Sequence, residues 1–185
     1  MNLSLRPEKR KLAVVILVGG TLVLTSYLHG IVTHPDSRGD VWGGVPESIQ
    51  PLYTVSMILA ATGFFFFTGF IFFCVKPQDA RIAGRYEFGI FTWIYLLILI
   101  PSALWMPLTF AMLEAPAPAL WLAIRADLFL VGIAALSLFP SLLTLRPVKR
   151  GWPFALAILG LTCFCLQTAV LDAIIWPAYF PFPSG

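Results

Sequence analysis

Five long apolar runs dominate the chain, at residues 12–33, 49–75, 88–113, 119–145 and 153–180. Each reaches the roughly 20 residues that a helix needs to cross about 30 Å of hydrocarbon. Between them lie segments rich in proline, glycine and charge, at 35–44, 76–87, 114–118 and 146–151, the residue types that end helices and start turns. The pattern predicts an all-α integral membrane protein, a bundle of five transmembrane helices in a single membrane domain over 1–185. The first loop, 35–48, with Asp36, Gly39, Asp40, Trp42, Gly43, Gly44 and Pro46, is expected to form a lid at one end. The last two connections are short, so helices 3 and 4, and helices 4 and 5, are expected to be antiparallel neighbours.

Charge sets an expected orientation, because Lys and Arg near helix ends are retained on the cytoplasmic side. Arg6, Lys9, Arg10 and Lys11 precede the first run; Lys76, Arg81 and Arg85 follow the second; Arg146, Lys149 and Arg150 follow the fourth. The alternate segments hold only Arg38, against Asp36, Asp40, Glu47 and Glu114. The N-terminus is therefore expected in the cytoplasm and the C-terminus outside, in an inner or plasma membrane. The basic start followed by an apolar run also resembles a signal peptide, but no small-x-small cleavage site follows, and an uncleaved signal anchor is the reading.

Composition agrees with a lipid solvent. Of 185 residues 59% are hydrophobic and 11% charged, against roughly 45–50% and 25% in soluble domains. The net charge of +3 needs no nucleic-acid partner, since orientation accounts for nearly all the cations. Cys74, Cys163 and Cys165 show neither a disulfide framework nor a zinc pattern.

Polar side chains inside hydrocarbon are costly unless paired, so their accumulation points to function. Arg125 lies seven residues past Pro118 and Asp172 seven before Tyr179, each roughly 10 Å from the outer face at 1.5 Å per residue. An Arg125–Asp172 ion pair is expected, with Asp127 turned away because residues two apart do not share a helix face. Thr21, Thr25, His29 and Thr33 form a stripe on helix 1; Gln50, Tyr53 and Ser56 open helix 2. Ser102, Trp105 and Thr109 approach the same level on helix 3, between Pro101 and Pro107. Together they predict a pocket beneath the first loop. Plainer readings stand beside it: the pair as interhelical glue, His29 as a bond to a neighbouring helix, and Trp42, Trp121, Trp152 and Trp176 as interfacial anchors.

Enzyme motifs are mostly absent: there is no glycine-rich phosphate loop, nucleophile elbow or His/Glu zinc spacing. His29 and His34 lie five apart at one helix end, which disfavours bis-histidine haem, and no metal site is expected.

Some local sequences match a known pattern. Trp105-Met106-Pro107-Leu108-Thr109-Phe110 is similar to a Trp-x-Pro-x-Phe-Phe stretch, Leu52-Tyr53 with Met57 to Leu-Tyr-x-x-Met, and Leu171-Asp172 stands where a Leu-Asn pair is usual. With five helices and a lid-like first loop, the chain resembles the translocator protein / tryptophan-rich sensory protein family. Ser102 stands in place of the family's Asn, Thr109 in place of its first Phe, and the loop lacks Trp-x-Pro-Pro around Trp42. The resemblance implies binding of porphyrins, sterols or similar flat molecules beneath the first loop, often in a dimer.

The leading expectation is a membrane protein that binds a flat hydrophobic ligand, a tetrapyrrole, sterol or isoprenoid, in an outer-leaflet pocket for sensing or transport. Trp42, Tyr53, Trp105 and Phe110 would wall it, and His29, Arg125 and Asp172 would orient the polar end. No obligatory cofactor is expected beyond a bound porphyrin, sterol or lipid. The expected partners are membrane lipid, the hydrophobic small molecule, and a second copy or a larger membrane complex. The alternatives are an accessory subunit of such a complex, and a lipid- or quinone-modifying enzyme using Asp172, Glu114 or His29.

Overall fold

A computed structural model describes residues 6–180. Five helices are long and apolar enough to cross a membrane: α1 (Pro7–Thr33), α2 (Gln50–Cys74), α3 (Gly89–Glu114), α4 (Pro118–Thr144) and α5 (Trp152–Tyr179). α1 starts before its apolar run, because Pro7 takes the first helical turn and the basic residues after it continue that helix beyond the hydrocarbon. α2 ends in a π turn, Phe70–Cys74. α5 is α-helical over Trp152–Cys165, π-helical over Leu166–Ile175, and closes with an α turn at Trp176–Tyr179.

The packing runs α1 on α3, α3 on α4, α4 on α5 and α5 on α2. Short connections place α3–α4 and α4–α5 side by side, as the sequence requires. α2 and α5 cross at a glycine pair: a Cβ built on Gly63 would stand 2.2 Å from the Gly160 carbonyl oxygen, so only glycine permits the approach. Ser56 and Ala60 share the buried side of α2 with Gly63. On α4, Gly132 packs against Ala169 of α5.

Two apolar clusters stack along the bundle. The one nearer the cationic loops gathers Leu12, Phe67, Phe91, Tyr95, Leu138 and Leu161, all fully or almost fully buried. Its main polar contact is closed, the Tyr95 and Thr68 hydroxyls lying 2.6 Å apart. At this end the loops are tied by reciprocal backbone hydrogen bonds between Arg81 and Arg146 of 2.8 and 2.9 Å, and the Lys9 ammonium donates to the Phe72 carbonyl in the last turn of α2. The second cluster, at the opposite end, joins Val45, Tyr53, Met112, Ile124, Leu171, Trp176 and Phe180.

The first loop folds into two 3-10 turns, Pro35–Ser37 and Asp40–Trp42. It is pinned to the end of α5 by Gly44 N–H to the Tyr179 carbonyl, 2.9 Å, and by the Trp176 indole N–H to the Val41 carbonyl, 3.0 Å. Gly43 sits at φ +60° with the Phe180 ring 2.9 Å from where a Cβ would be, so both conformation and space require glycine.

Candidate functional site

The polar layer lies in the half away from the cationic loops, but its membership differs from expectation. The buried stripe of α4 runs Ile124, Leu128, Val131, Ala135, Leu138 and Leu142, with Asp127, Ala134 and Ser141 on its flank. Asp127 therefore faces the interior and Arg125 does not, the reverse of the expected rotation. Arg125 is half-buried with its guanidinium over the Phe129 and Trp121 rings, at 5.2 and 5.9 Å. It makes no ion pair with Asp172; among the described residues the ion pairs are His34–Glu114 at 3.0 Å and Arg81–Glu87 at 3.9 Å. Equal depth was not enough, because the phase of α4 is fixed by its apolar heptads.

Asp172 finds a neutral partner instead. The Gln167 side-chain amide donates to its carboxylate at 2.7 Å. In a regular α-helix, residues five apart lie about 140° apart around the axis. The π turn closes i to i+5 and returns them to one side. The same widened segment presents the Leu171 carbonyl to the Tyr53 hydroxyl at 3.2 Å.

Around these groups stand aromatic rings. Trp105 of α3 packs on Tyr27 of α1 at 5.6 Å and edge-on against Trp176 of α5 at 5.8 Å. Trp121 and Phe180 stack at 5.3 Å and both adjoin Trp176. Among the described residues four buried polar atoms lack a hydrogen-bond partner: Asp127 Oδ2, Gln167 Oε1, Trp105 Nε1 and Arg125 Nε. Such orphans are rare in native structures and call for an explanation.

The expected site residues divide. Tyr53, Trp105 and Asp172 meet in the layer, and Trp42 packs edge-on against Tyr53 at 6.1 Å. Phe110 lies at the end of α3, stacked on the His34 ring at 4.1 Å. His29, expected in the pocket, is exposed on the side of α1 away from the bundle; Leu12 and Gly30 define that helix's buried line, and it is His34 that turns inward. The hollow expected under the loop is packed with Trp176, Phe180 and their neighbours, whereas recesses of about 490 and 610 Å³ open at the cationic end. The groups named for lipid or quinone chemistry do not converge either: Glu114 binds His34, His29 faces outward and Asp172 binds Gln167.

Asp127 and Gln167 were the residues sequence reasoning missed. The heptad phase of α4 was the available signal for the first. For the second there was none, since a π segment has no sequence signature comparable to a cap or a proline.

Five spans and a charged, aromatic-walled layer within them define an integral membrane protein with a buried polar site. No protein-family model matches the chain, and no curated protein or solved structure gives a significant match to it.

Proposed function

We propose that the protein binds a hydrophobic small molecule with one polar end in the layer between α1, α3, α4 and α5, for sensing or transport. The observation that supports this is two orphaned acceptors, Asp127 Oδ2 and Gln167 Oε1, buried in an apolar bundle. Leaving a buried polar group unmade costs about 1–3 kcal/mol each, a cost that a ligand's polar end removes. Trp105, Tyr27 and Tyr53 form the aromatic walls, and Gln167 fixes Asp172 beside them. The resemblance to the translocator protein family favours the same ligand size, a flat sterol, tetrapyrrole or isoprenoid. In this reading the cationic end faces the cytoplasm of an inner or plasma membrane. The ligand arrives from the opposite leaflet, and the first loop, held to α5 by two hydrogen bonds, is the element that parts.

Titration of the purified protein with porphyrin, sterol and isoprenoid panels, followed by tryptophan fluorescence, tests the reading. Saturable binding is expected, weakened about tenfold or more by Trp105→Ala, as for a buried aromatic anchor. Absence of saturable binding across the panels overturns it.

A second reading, association with another chain, is favoured by α1. Only 6% of its most apolar window is buried, against 44% in α4. Thr21, Thr25 and His29 are exposed on it, and polar groups at membrane depth ordinarily face protein. Either a second copy or a larger membrane complex would cover that stripe; native extraction with a stoichiometric companion would support it, and a monodisperse monomer in lipid nanodiscs would count against it.

A further inference from the structure

The two loops at the cationic end carry four arginines and two lysines, and the two residue types are used differently. Every arginine is engaged. Arg81 donates to the Ala80 carbonyl and pairs with Glu87, and Arg85 meets the Tyr86 hydroxyl. Arg146 donates to the Leu145 carbonyl, and Arg150 donates to the Leu143 carbonyl with its guanidinium over the Phe154 ring. Among the described residues neither Lys76 nor Lys149 has an ion pair or a side-chain hydrogen bond. Both line the recess of about 610 Å³, together with Asp79 and the apolar Phe70, Val148 and Pro153.

The backbone holds the two lysines to this place. Lys76 opens a turn closed by the Ala80 N–H on its carbonyl at 3.1 Å, and the next residue, Arg81, is bonded in both directions to Arg146, three before Lys149. The recess lies where α2 ends at Cys74 and α5 begins at Trp152, the level at which a span passes from hydrocarbon to headgroups. Retention of cations on one side of the membrane accounts for their number; it does not require that two of them stay unpaired around one hollow. An ammonium against an apolar wall at that level suits a phosphate whose own chains lie in the hydrocarbon. Two lysines against one aspartate leave the lining one positive charge in excess, so a singly anionic headgroup is favoured over a zwitterionic one.

We propose that this recess is a site for the headgroup of an acidic phospholipid, with Lys76 and Lys149 donating to its phosphodiester oxygens. The acyl chains run back along the end of α2, where Phe73 and Cys74 are exposed. The site lies at the opposite end of the bundle from the polar layer, and it stands or falls independently of the ligand proposed there.

The test incubates the purified full chain in detergent with an equimolar mixture of dioleoylphosphatidylglycerol and dioleoylphosphatidylcholine, repurifies it, and counts the retained lipids by mass spectrometry. The acidic lipid is expected to be retained about fivefold over the zwitterionic one, since each unit of charge beside a headgroup is worth about a fivefold change in binding. Lys76→Gln and Lys149→Gln each bring the lining to neutrality and should take the ratio to about one, so either variant suffices if the other fails to fold. Asp79→Asn should raise the ratio about fivefold further. Lys11→Gln combined with Arg85→Gln removes two charges from the same end without touching the lining and should leave the ratio at the parent value. Glycerophosphoglycerol, the same headgroup without chains, should displace nothing when present at the lipid's concentration. Equal retention of the two lipids overturns the proposal. So does a ratio that falls as far in the Lys11 and Arg85 control as in the recess variants, which would mean diffuse attraction to the whole cationic end. Displacement by glycerophosphoglycerol overturns the lipid as occupant and assigns the recess to a soluble phosphodiester.

Discussion

The two halves of the bundle are built to different standards. Nearer the cationic loops, Phe67, Phe91, Tyr95 and Leu138 are sealed, the buried hydroxyls of Tyr95 and Thr68 satisfy each other, and α2 meets α5 at bare glycine backbone. In the other half α5 leaves α-helical geometry for ten residues, Leu166–Ile175. There an aspartate, a glutamine carbonyl and an indole N–H are buried without partners. A membrane protein has no water within the hydrocarbon to repair such omissions. The first half is thus closed to polar cost, and the second carries buried polar groups whose cost the fold leaves unrelieved.

The glycine crossing is the point at which the stable half breaks most easily. Gly63→Leu drives a side chain into the Gly160 backbone, where even a Cβ would stand at 2.2 Å. A loss of about 3 kcal/mol or more is expected from forced separation of α2 and α5, read as thermal unfolding in detergent. Gly20→Leu is the control, because a Cβ at Gly20 meets nothing within 4 Å. It should unfold no earlier than the parent, and equal damage from both would show that helix approach is not the cause.

In the other half a substitution should do the opposite. Asp127→Leu replaces a buried, unpaired carboxyl by an apolar side chain of similar size. It is expected to stabilise the fold by about 1–3 kcal/mol, the desolvation cost of an unpaired polar group. Destabilisation on that scale would mean that Asp127 is satisfied in the native membrane and that the asymmetry between the halves is illusory.

Tyr95→Phe sharpens the contrast on a smaller scale. It deletes the hydroxyl that meets Thr68 at 2.6 Å and leaves the Phe64 and Phe67 ring contacts in place. About 1 kcal/mol should be lost, as for one buried hydrogen bond, and ligand titration curves should superpose on the parent's. A change in binding would couple Tyr95 to the proposed site after all.

Most of the fold can be read from the chain because the bilayer imposes it: the apolar runs find the five helices to within a few residues, α1 apart, where Pro7 and the basic residues extend the helix into water. Position along a helix is countable for the same reason, since each residue adds about 1.5 Å of rise. Rotation about the helix axis is much less so. A transmembrane helix is apolar on every side, so the usual contrast between core and solvent faces is faint. That is why Arg125 rather than Asp127 was placed inside, and His29 rather than His34. For α4 a finer signal did exist, the spacing of Ile124, Leu128, Val131 and Ala135. For α5 none did, because the pairing of Gln167 with Asp172 needs a π turn that only tertiary packing selects.

Arg125 supplies the smallest expected effect and the most exacting check on that lesson. Were it the buried partner of Asp172, Arg125→Leu would strand a charge and cost about 3–5 kcal/mol. With the guanidinium instead lying over Phe129 and Trp121 at the flank, and its Nε already unpartnered, the substitution forfeits a cation–π contact worth about 0.5–1 kcal/mol. It also relieves an unsatisfied donor of comparable cost, so the two contributions nearly cancel. Thermal unfolding of Arg125→Leu in the same detergent should fall close to the parent, and Asp172→Asn combined with it should act additively, since groups without a shared contact do not couple. A large loss from Arg125→Leu that the second substitution restores would re-establish the ion pair. It would rotate α4 and return Asp127 to the outside of the bundle.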